Sequence, residues 1–200
     1  MMESLLEKFG KNKRKPGGTL VLYTTKHGAT QRYAERIGQP LDALVKEAAY
    51  AKISDAKTYD TIVLGCCVYA FKIKGLDFFA NHIEELKDKR LVLYTCGLND
   101  PQLPQVRKSL DDQIRKALGD AADRVSVFHL RGRIRWQNLG LIERLALKIL
   151  IATFRKKPEE QRTLVENQLI ETEGGVIDFT DEVDLAPIVH AARFGGEAQA

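Results

Sequence analysis

The stretch TLVLYTTKHGAT, residues 19–30, decides the fold. Its first seven residues are leucine, β-branched or aromatic and carry no charge, as in a strand buried on both faces. Hydroxyls then bracket a charged, glycine-containing turn, with Thr24 and Thr25 before it and Thr30 after it. Thr30 is placed to cap a helix that runs to about Gly38, with Pro40 beyond its end. Outward from this stretch the apolar run recurs as TIVLGC (61–66), RLVLYTC (90–96) and VSVFHL (125–130), with a weaker version at 43–47. Between these runs, Leu76, Phe79, Ala80, Ile83 and Leu86 recur at helical spacing, and residues 103–118 read as a helix ended by Gly119. Strands alternating with helices form a parallel sheet with right-handed crossovers. The expected fold is therefore α/β, a doubly wound parallel five-stranded sheet, with ligands outside the carboxyl ends of its strands.

Composition agrees with one domain. The chain has 200 residues, 44% hydrophobic and 29% charged, which excludes wholesale disorder. No uncharged apolar run reaches the ~18–20 residues of a membrane-spanning helix. The N-terminus does not read as a signal peptide, because its basic residues follow the short apolar stretch. Three cysteines, two of them adjacent, do not make a disulfide framework, and a reducing cytoplasmic setting fits them. The expected plan is a basic flexible leader over 1–18 and one domain over 19–200. That domain divides into a core to about 138, an apolar and basic helix at 139–155 and an acidic segment at 158–200. The net charge of +4 conceals a strong asymmetry. Nine Lys and Arg stand against Glu143 alone between Arg124 and Lys157, whereas ten acids stand against two Arg after Lys157. Such asymmetry either marks a surface for an anionic partner or is simply solvated.

The loop after the first strand lacks both the GxGxxG of dinucleotide folds and the GxxxxGK[ST] of P-loop enzymes. Threonine and cysteine stand where a response regulator would place its acids. Hydroxyls, backbone N–H groups and a positive helix end suit a phosphate dianion, although an ordinary strand–helix turn has the same outline. At this point the sequence resembles the flavodoxin family. The loop Thr24, Thr25, Lys26, His27, Gly28, Ala29 and Thr30 is similar to that family's phosphate loop. Tyr59, Asp60 and the run to Gly65 resemble its third strand. The resemblance implies a sheet of order 2-1-3-4-5 and FMN as cofactor. It places the flavin ring between Cys67, Val68, Tyr69 and Ala70 on one side and Cys96, Gly97, Leu98 and Asn99 on the other. Tyr69 is the expected aromatic neighbour of the ring, and the second loop carries no aromatic, so one ring face is expected to be open.

Within that family the menaquinone-dependent protoporphyrinogen oxidases look closer. They carry a segment similar to Arg133-Ile134-Arg135-Trp136 followed by a cationic amphipathic helix, and a later segment similar to Phe179-Thr180-Asp181. The resemblance implies protoporphyrinogen as substrate and a quinone as acceptor. Arg131, Arg133 and Arg135, with Trp136, would then meet the tetrapyrrole, since guanidinium forks match carboxylates. Two other readings stand beside this one: an electron-transfer protein working with a redox partner protein, and a regulatory module that kept the fold without the flavin. For residues 139–155 there are three options, namely peripheral contact with the inner membrane face, a homodimer interface, or packing on the protein's own core. Nucleic acid is not an expected partner, because no recognition motif accompanies the basic stretch. No histidine has ligand-spaced partners for a metal.

Overall fold

The apolar runs read from the sequence pair with one another. In the computed structural model, which describes residues 17–181 and 183–195, β1 (Thr19–Tyr23) lies between β2 (Leu44–Glu47) and β3 (Thr61–Tyr69). β4 (Lys72–Lys74) returns antiparallel along β3, and β5 (Arg90–Gly97) and β6 (Val125–Arg131) continue the sheet in parallel. The order β2-β1-β3-β5-β6 is the expected 2-1-3-4-5 when only the parallel strands are counted. The expected leader over residues 1–18 lies outside the described residues, except for Gly17 and Gly18.

Side-chain alternation along each strand builds two cores, one per face. Leu20, Leu22, Ile62, Leu64, Leu91 and Leu93 face one way. They pack on Phe79 of α3 (Asp77–His82) and on Ile114 and Leu118 of α4 (Pro104–Leu118). A four-residue helix, α2 (Ile53–Ala56), lies on the same side, with Ala56 buried. Val21, Val63, Val92 and Tyr94 face the other way. They meet Tyr33, Ala34 and Ile37 of α1 (Ala29–Gly38) and Ile188, Ala191 and Ala192 of a C-terminal helix at residues 186–194. The C-terminal segment thus completes the layer that α1 begins.

Residues after Gly132 add a smaller layer. β7 (Arg133–Arg135) pairs antiparallel with β8 (Val176–Asp178). Ile151 of α5 (Leu141–Arg155) and Val165 and Leu169 of α6 (Leu164–Glu171) bury against Ile177 of β8. Ile134 and Trp136 pack at the edge of this cluster. The C-terminal helix, α7 (Ala186–Phe194), follows.

Three local expectations differ from the structure. Helix α3 ends at His82 rather than near 86, although Phe79, Ile83 and Leu86 are all buried. Their spacing tracks burial, which turns satisfy as well as a helix does. Strand β3 runs three residues past Cys66, because Ala70 and Phe71 take positive φ (48° and 62°) and fold the chain back into β4. A two-residue hairpin turn of this hand matches the twist of its strands. Finally, Thr30 does not cap α1. Gly28, at φ 79°, holds the cap position, and Thr30 lies inside the first turn with 1% exposure.

Gly65 shows how tightly the sheet meets α1. A Cβ there would lie 2.2 Å from the Tyr94 hydroxyl, which donates to the Thr30 carbonyl at 2.8 Å. The clash is with a fully buried ring that cannot swing away. Gly65→Ala should therefore cost roughly 1–3 kcal/mol, as overpacking does. The expected readout is a lower urea midpoint with an unchanged slope; an unchanged midpoint would mean that the ring has room to move.

Candidate functional site

Strands β1, β3 and β5 are parallel neighbours, with Tyr23 beside Gly65 and Cys67 beside Cys96. Their carboxyl ends therefore share one edge of the sheet, and the loops that follow them converge there. Chemistry-bearing residues from the first, second and third loops meet only because the strands are in this register.

The first loop is anchored at both ends. The Thr24 amide donates to the Gly65 carbonyl at 2.8 Å, and the Gly28 amide donates to Thr25 Oγ1 at 3.0 Å. Gly75 lets Thr24 approach, since a Cβ on it would stand 2.3 Å from Thr24 Oγ1. Helix α1 has no side-chain cap and no acid in its first turn. Its first amides have no carbonyl within the helix to receive them, so the positive end of α1 opens onto the loop. Thr24, Thr25, His27 and Gly28 are partly exposed and Lys26 is exposed, while Ala29 and Thr30 are buried. Thr30 lies beside the Cys96 thiol, and its hydroxyl offsets part of the rise that burial gives that thiol's pKa. Arg133 reaches in from β7: its Nε donates to the His27 carbonyl at 3.3 Å. Hydroxyls, an uncapped helix start and a guanidinium make a donor set that fits a phosphate dianion.

The second loop is a hairpin tip. Cys67 is buried, Val68 and Tyr69 are partly buried, and Ala70 and the neighbouring Phe71 are exposed. The positive φ at Ala70 and Phe71 costs about 1–3 kcal/mol each. Gln113 of α4 holds the tip, accepting from the Ile73 amide at 3.1 Å and donating to the Phe71 carbonyl at 3.1 Å. Tyr69 does not present a bare face. The Lys26 ammonium sits 3.8 Å from its ring centroid, and its hydroxyl donates to Glu143 Oε1 at 3.0 Å. Lys26 also pairs with Glu143 at 2.7 Å. Glu143 lies in the first turn of α5 and accepts from the Gly140 amide at 3.0 Å, so it links the added helix to both loops. The Lys26 ammonium, helped by the Gly140 amide and the Tyr69 hydroxyl, holds its carboxyl down at about 2. His27 has its ring centroid 6.3 Å from that of Tyr69, and burial lowers its pKa, which favours the neutral ring.

The third loop is lined by backbone. Gly97 and Leu98 are partly buried and Asn99 is exposed. A Cβ on Gly97 would stand 3.0 Å from Val68, so the second and third loops lie close together. Asp100 accepts from the Gln102 amide at 2.9 Å and turns the chain into α4. Cys66, Cys67 and Cys96 are buried free thiols. Burial raises all three pKa values, that of Cys96 to about 12, so none is a ready thiolate. Among the described residues no group of three or more His, Cys, Asp or Glu is arranged to hold a metal.

The structure does not gather the three arginines. Arg131 ends β6, with its guanidinium 3.3 Å from the Phe179 ring centroid and 3.4 Å from Gln168 Oε1. Arg133 turns to the first loop, and Arg135 is exposed. Trp136 packs on the small cluster of α5 and α6. The chain breaks from one sheet to another at Gly132, so alternation along the sequence does not become a shared face. The 179–181 segment instead clamps α1: Arg32 reaches Thr180 Oγ1 and Asp181, and Arg36 reaches the Thr180 carbonyl. Glu143 and Phe71 were missed in the sequence. The Gly140-to-Glu143 spacing was the available signal for the first, and an aromatic beside a strand end was the signal for the second.

The family model described as a flavodoxin domain matches residues 20–161. Among solved structures, the two-electron reduced flavodoxin of Megasphaera elsdenii is similar, with 18% identity and a TM-score of 0.45 over 56% of this chain and 85% of that one. A flavodoxin, WrbA-like protein of Agrobacterium tumefaciens has 14% identity and a TM-score of 0.40, covering 56% and 82%. A putative flavoprotein of Bacteroides eggerthii has 16% identity and a TM-score of 0.42, covering 70% and 99%. The search of curated proteins finds no match.

The depressed Glu143 value carries a pH dependence. A carboxyl whose pKa is lower folded than unfolded stabilises the fold above the ordinary glutamate range and loses that contribution as pH falls toward the folded value. Glu143→Gln should open a gap in melting temperature from the wild type at neutral pH. The gap should close on acidification between the ordinary value and about 2. Melting curves that stay parallel across that window would show the Lys26–Glu143 pair to be too solvated to matter.

Proposed function

The chain belongs to the flavodoxin-domain family of flavin-binding redox proteins, whose cofactor is FMN, and on that premise we propose that it is an FMN-dependent oxidoreductase working at an anionic membrane surface with a quinone as electron acceptor. Thr24, Thr25, Lys26, His27, Gly28, Ala29 and Thr30 would form the phosphate loop. Cys67, Val68, Tyr69 and Ala70 would border one side of the ring, and Cys96, Gly97, Leu98 and Asn99 the other. FMN supplies the redox chemistry when bound. The protein's part is to fix the cofactor with the amides of α1, to line its ring with backbone from β5, and to keep the buried thiols protonated.

One observation carries the membrane reading. Leu141 and Ile142 are each 84% exposed, Leu145 61% and Ile149 59%, and all lie on one side of α5. Lys148 borders this apolar sector and is exposed, and Arg155 lies beside it, paired with Glu173 at 2.7 Å. An apolar stripe beside cations is the pattern of a helix lying in a lipid interface, where each cation near an anionic surface is worth about 1 kcal/mol. Among the described residues no helix is long and apolar enough to cross a membrane. The first turn of the same helix holds Glu143 against Lys26 and Tyr69, so a lipid-dissolved acceptor would arrive next to the flavin loops. Protoporphyrinogen is the electron donor implied by the resemblance at residues 133–136, and Arg135 is the arginine of that segment left exposed for its carboxylates.

The purified protein should be yellow, with a flavin spectrum, and should reduce a menaquinone analogue anaerobically in the presence of protoporphyrinogen. A coloured protein inactive with that pair would be an electron carrier, and a colourless one that takes up no FMN would be a binding module. Phosphatidylglycerol vesicles should sediment the wild type, and Leu145→Glu with Ile149→Glu should leave it in the supernatant with its flavin spectrum intact. A stable dimer by light scattering, without vesicle binding, would assign the face to a second copy of the chain.

A further inference from the structure

The proposed phosphate loop has three cations within reach, and their partners differ. Lys26 is engaged, paired with Glu143 at 2.7 Å and seated over the Tyr69 ring. Arg32, in the first turn of α1, is engaged on Asp181 at 2.5 Å, on Thr180 Oγ1 at 3.1 Å and on Asp178 at 3.5 Å. Arg133 is held more loosely. Among the described residues its ion-pair partner is Asp178, at 3.8 Å. That carboxylate is already occupied, since its Oδ1 accepts from the Thr180 amide at 2.9 Å and from Thr180 Oγ1 at 2.6 Å.

Arg133 is also the cation placed against the start of α1. Its Nη2 lies 2.7 Å from the point where a Cβ on Gly28 would stand, and its Nε donates to the neighbouring His27 carbonyl. A side chain at position 28 would displace the guanidinium, and φ of 79° there disfavours one in any case. Its own side chain is 17% exposed, so the charge sits in a screened position at the edge of the loop. Glycine at the cap of α1 therefore does two things: it turns the chain into the helix, and it opens the space through which a residue of β7, more than a hundred positions later, reaches the loop.

We propose that Arg133 is a cofactor-positioning residue that pairs with the FMN phosphate and makes the site select the phosphorylated flavin over riboflavin. The inference rests on the FMN reading of residues 24–30 and adds to it a charged partner from the C-terminal layer. A guanidinium fork matches a phosphate dianion, and such charge-assisted bonds are roughly twice as strong as neutral ones. The Nε bond to His27 and the contact of Nη1 with Asp178 leave Nη2, beside the start of α1, for the ligand.

The test is flavin titration of the stripped full-length protein, followed by fluorescence quenching, with FMN and with riboflavin separately. Arg133→Ala should raise the dissociation constant for FMN roughly 10- to 100-fold, the range set by one hydrogen bond to a charged group. The riboflavin constant should move little, and its persistence shows that the variant is folded. Arg133→Lys should recover part of the FMN affinity, because the charge returns without the fork. Equal losses for FMN and riboflavin would overturn the inference, reducing Arg133 to a strut that holds the loop. An unchanged FMN constant would overturn it as well. A wild-type protein that binds neither flavin would overturn the FMN reading itself, an outcome distinct from both.

Discussion

Burial of β1, β3 and β5 on both faces is the constraint on which the rest depends. Strands with apolar residues at every position can only sit inside a sheet covered on two sides, and connections long enough to cover it make the strands parallel. Parallel strands in register end at one edge, so three loops that are distant in sequence become neighbours. The close fit of Gly65 against Tyr94, and of Tyr94 against the Thr30 carbonyl, ties the start of α1 to this edge. Hence the first loop inherits its position from the core rather than from its own residues.

The C-terminal third works on this edge from outside. Its helix α7 finishes the core layer that α1 begins, while β7, β8, α5 and α6 form a small cluster of their own. From that cluster two side chains reach back to the first loop, Glu143 from α5 and Arg133 from β7. The opposite charges of the basic stretch and the acidic tail meet within the protein as well, at Arg155 with Glu173, Lys157 with Glu166 and Arg133 with Asp178. The most exposed of these pairs, Arg155 with Glu173, contributes little stability, about 0–1 kcal/mol. Together the pairs do spend part of the charge that would otherwise face solvent, which leaves Lys148, Arg135 and Lys156 among the exposed cations.

Much of the architecture was legible because burial leaves a period in the sequence. The runs at 19–25, 61–66, 90–96 and 125–130 became β1, β3, β5 and β6, and the weaker one at 43–47 became β2. What escaped notice has no period to show. The hairpin tip at Ala70 and Phe71 lacks the glycine or asparagine that announces positive φ, and a three-residue strand such as β4 is too short to alternate. Thr30 carries the residue type of a cap, yet it is buried inside the first turn of α1 and leaves the cap position to Gly28.

The sequence by itself determined the doubly wound parallel sheet and the loop at the carboxyl end of its first strand, because both follow from local pattern and from the burial that pattern demands, while the strand order came with the family resemblance. Only the tertiary structure decided which cations meet that loop. Arg131, Arg133 and Arg135 look equivalent along the chain, but the break between sheets at Gly132 sends one to Phe179, one to the start of α1 and one to solvent. Side-chain destinations of this kind depend on how two separate sheets pack, and no spacing of residues within one segment records that.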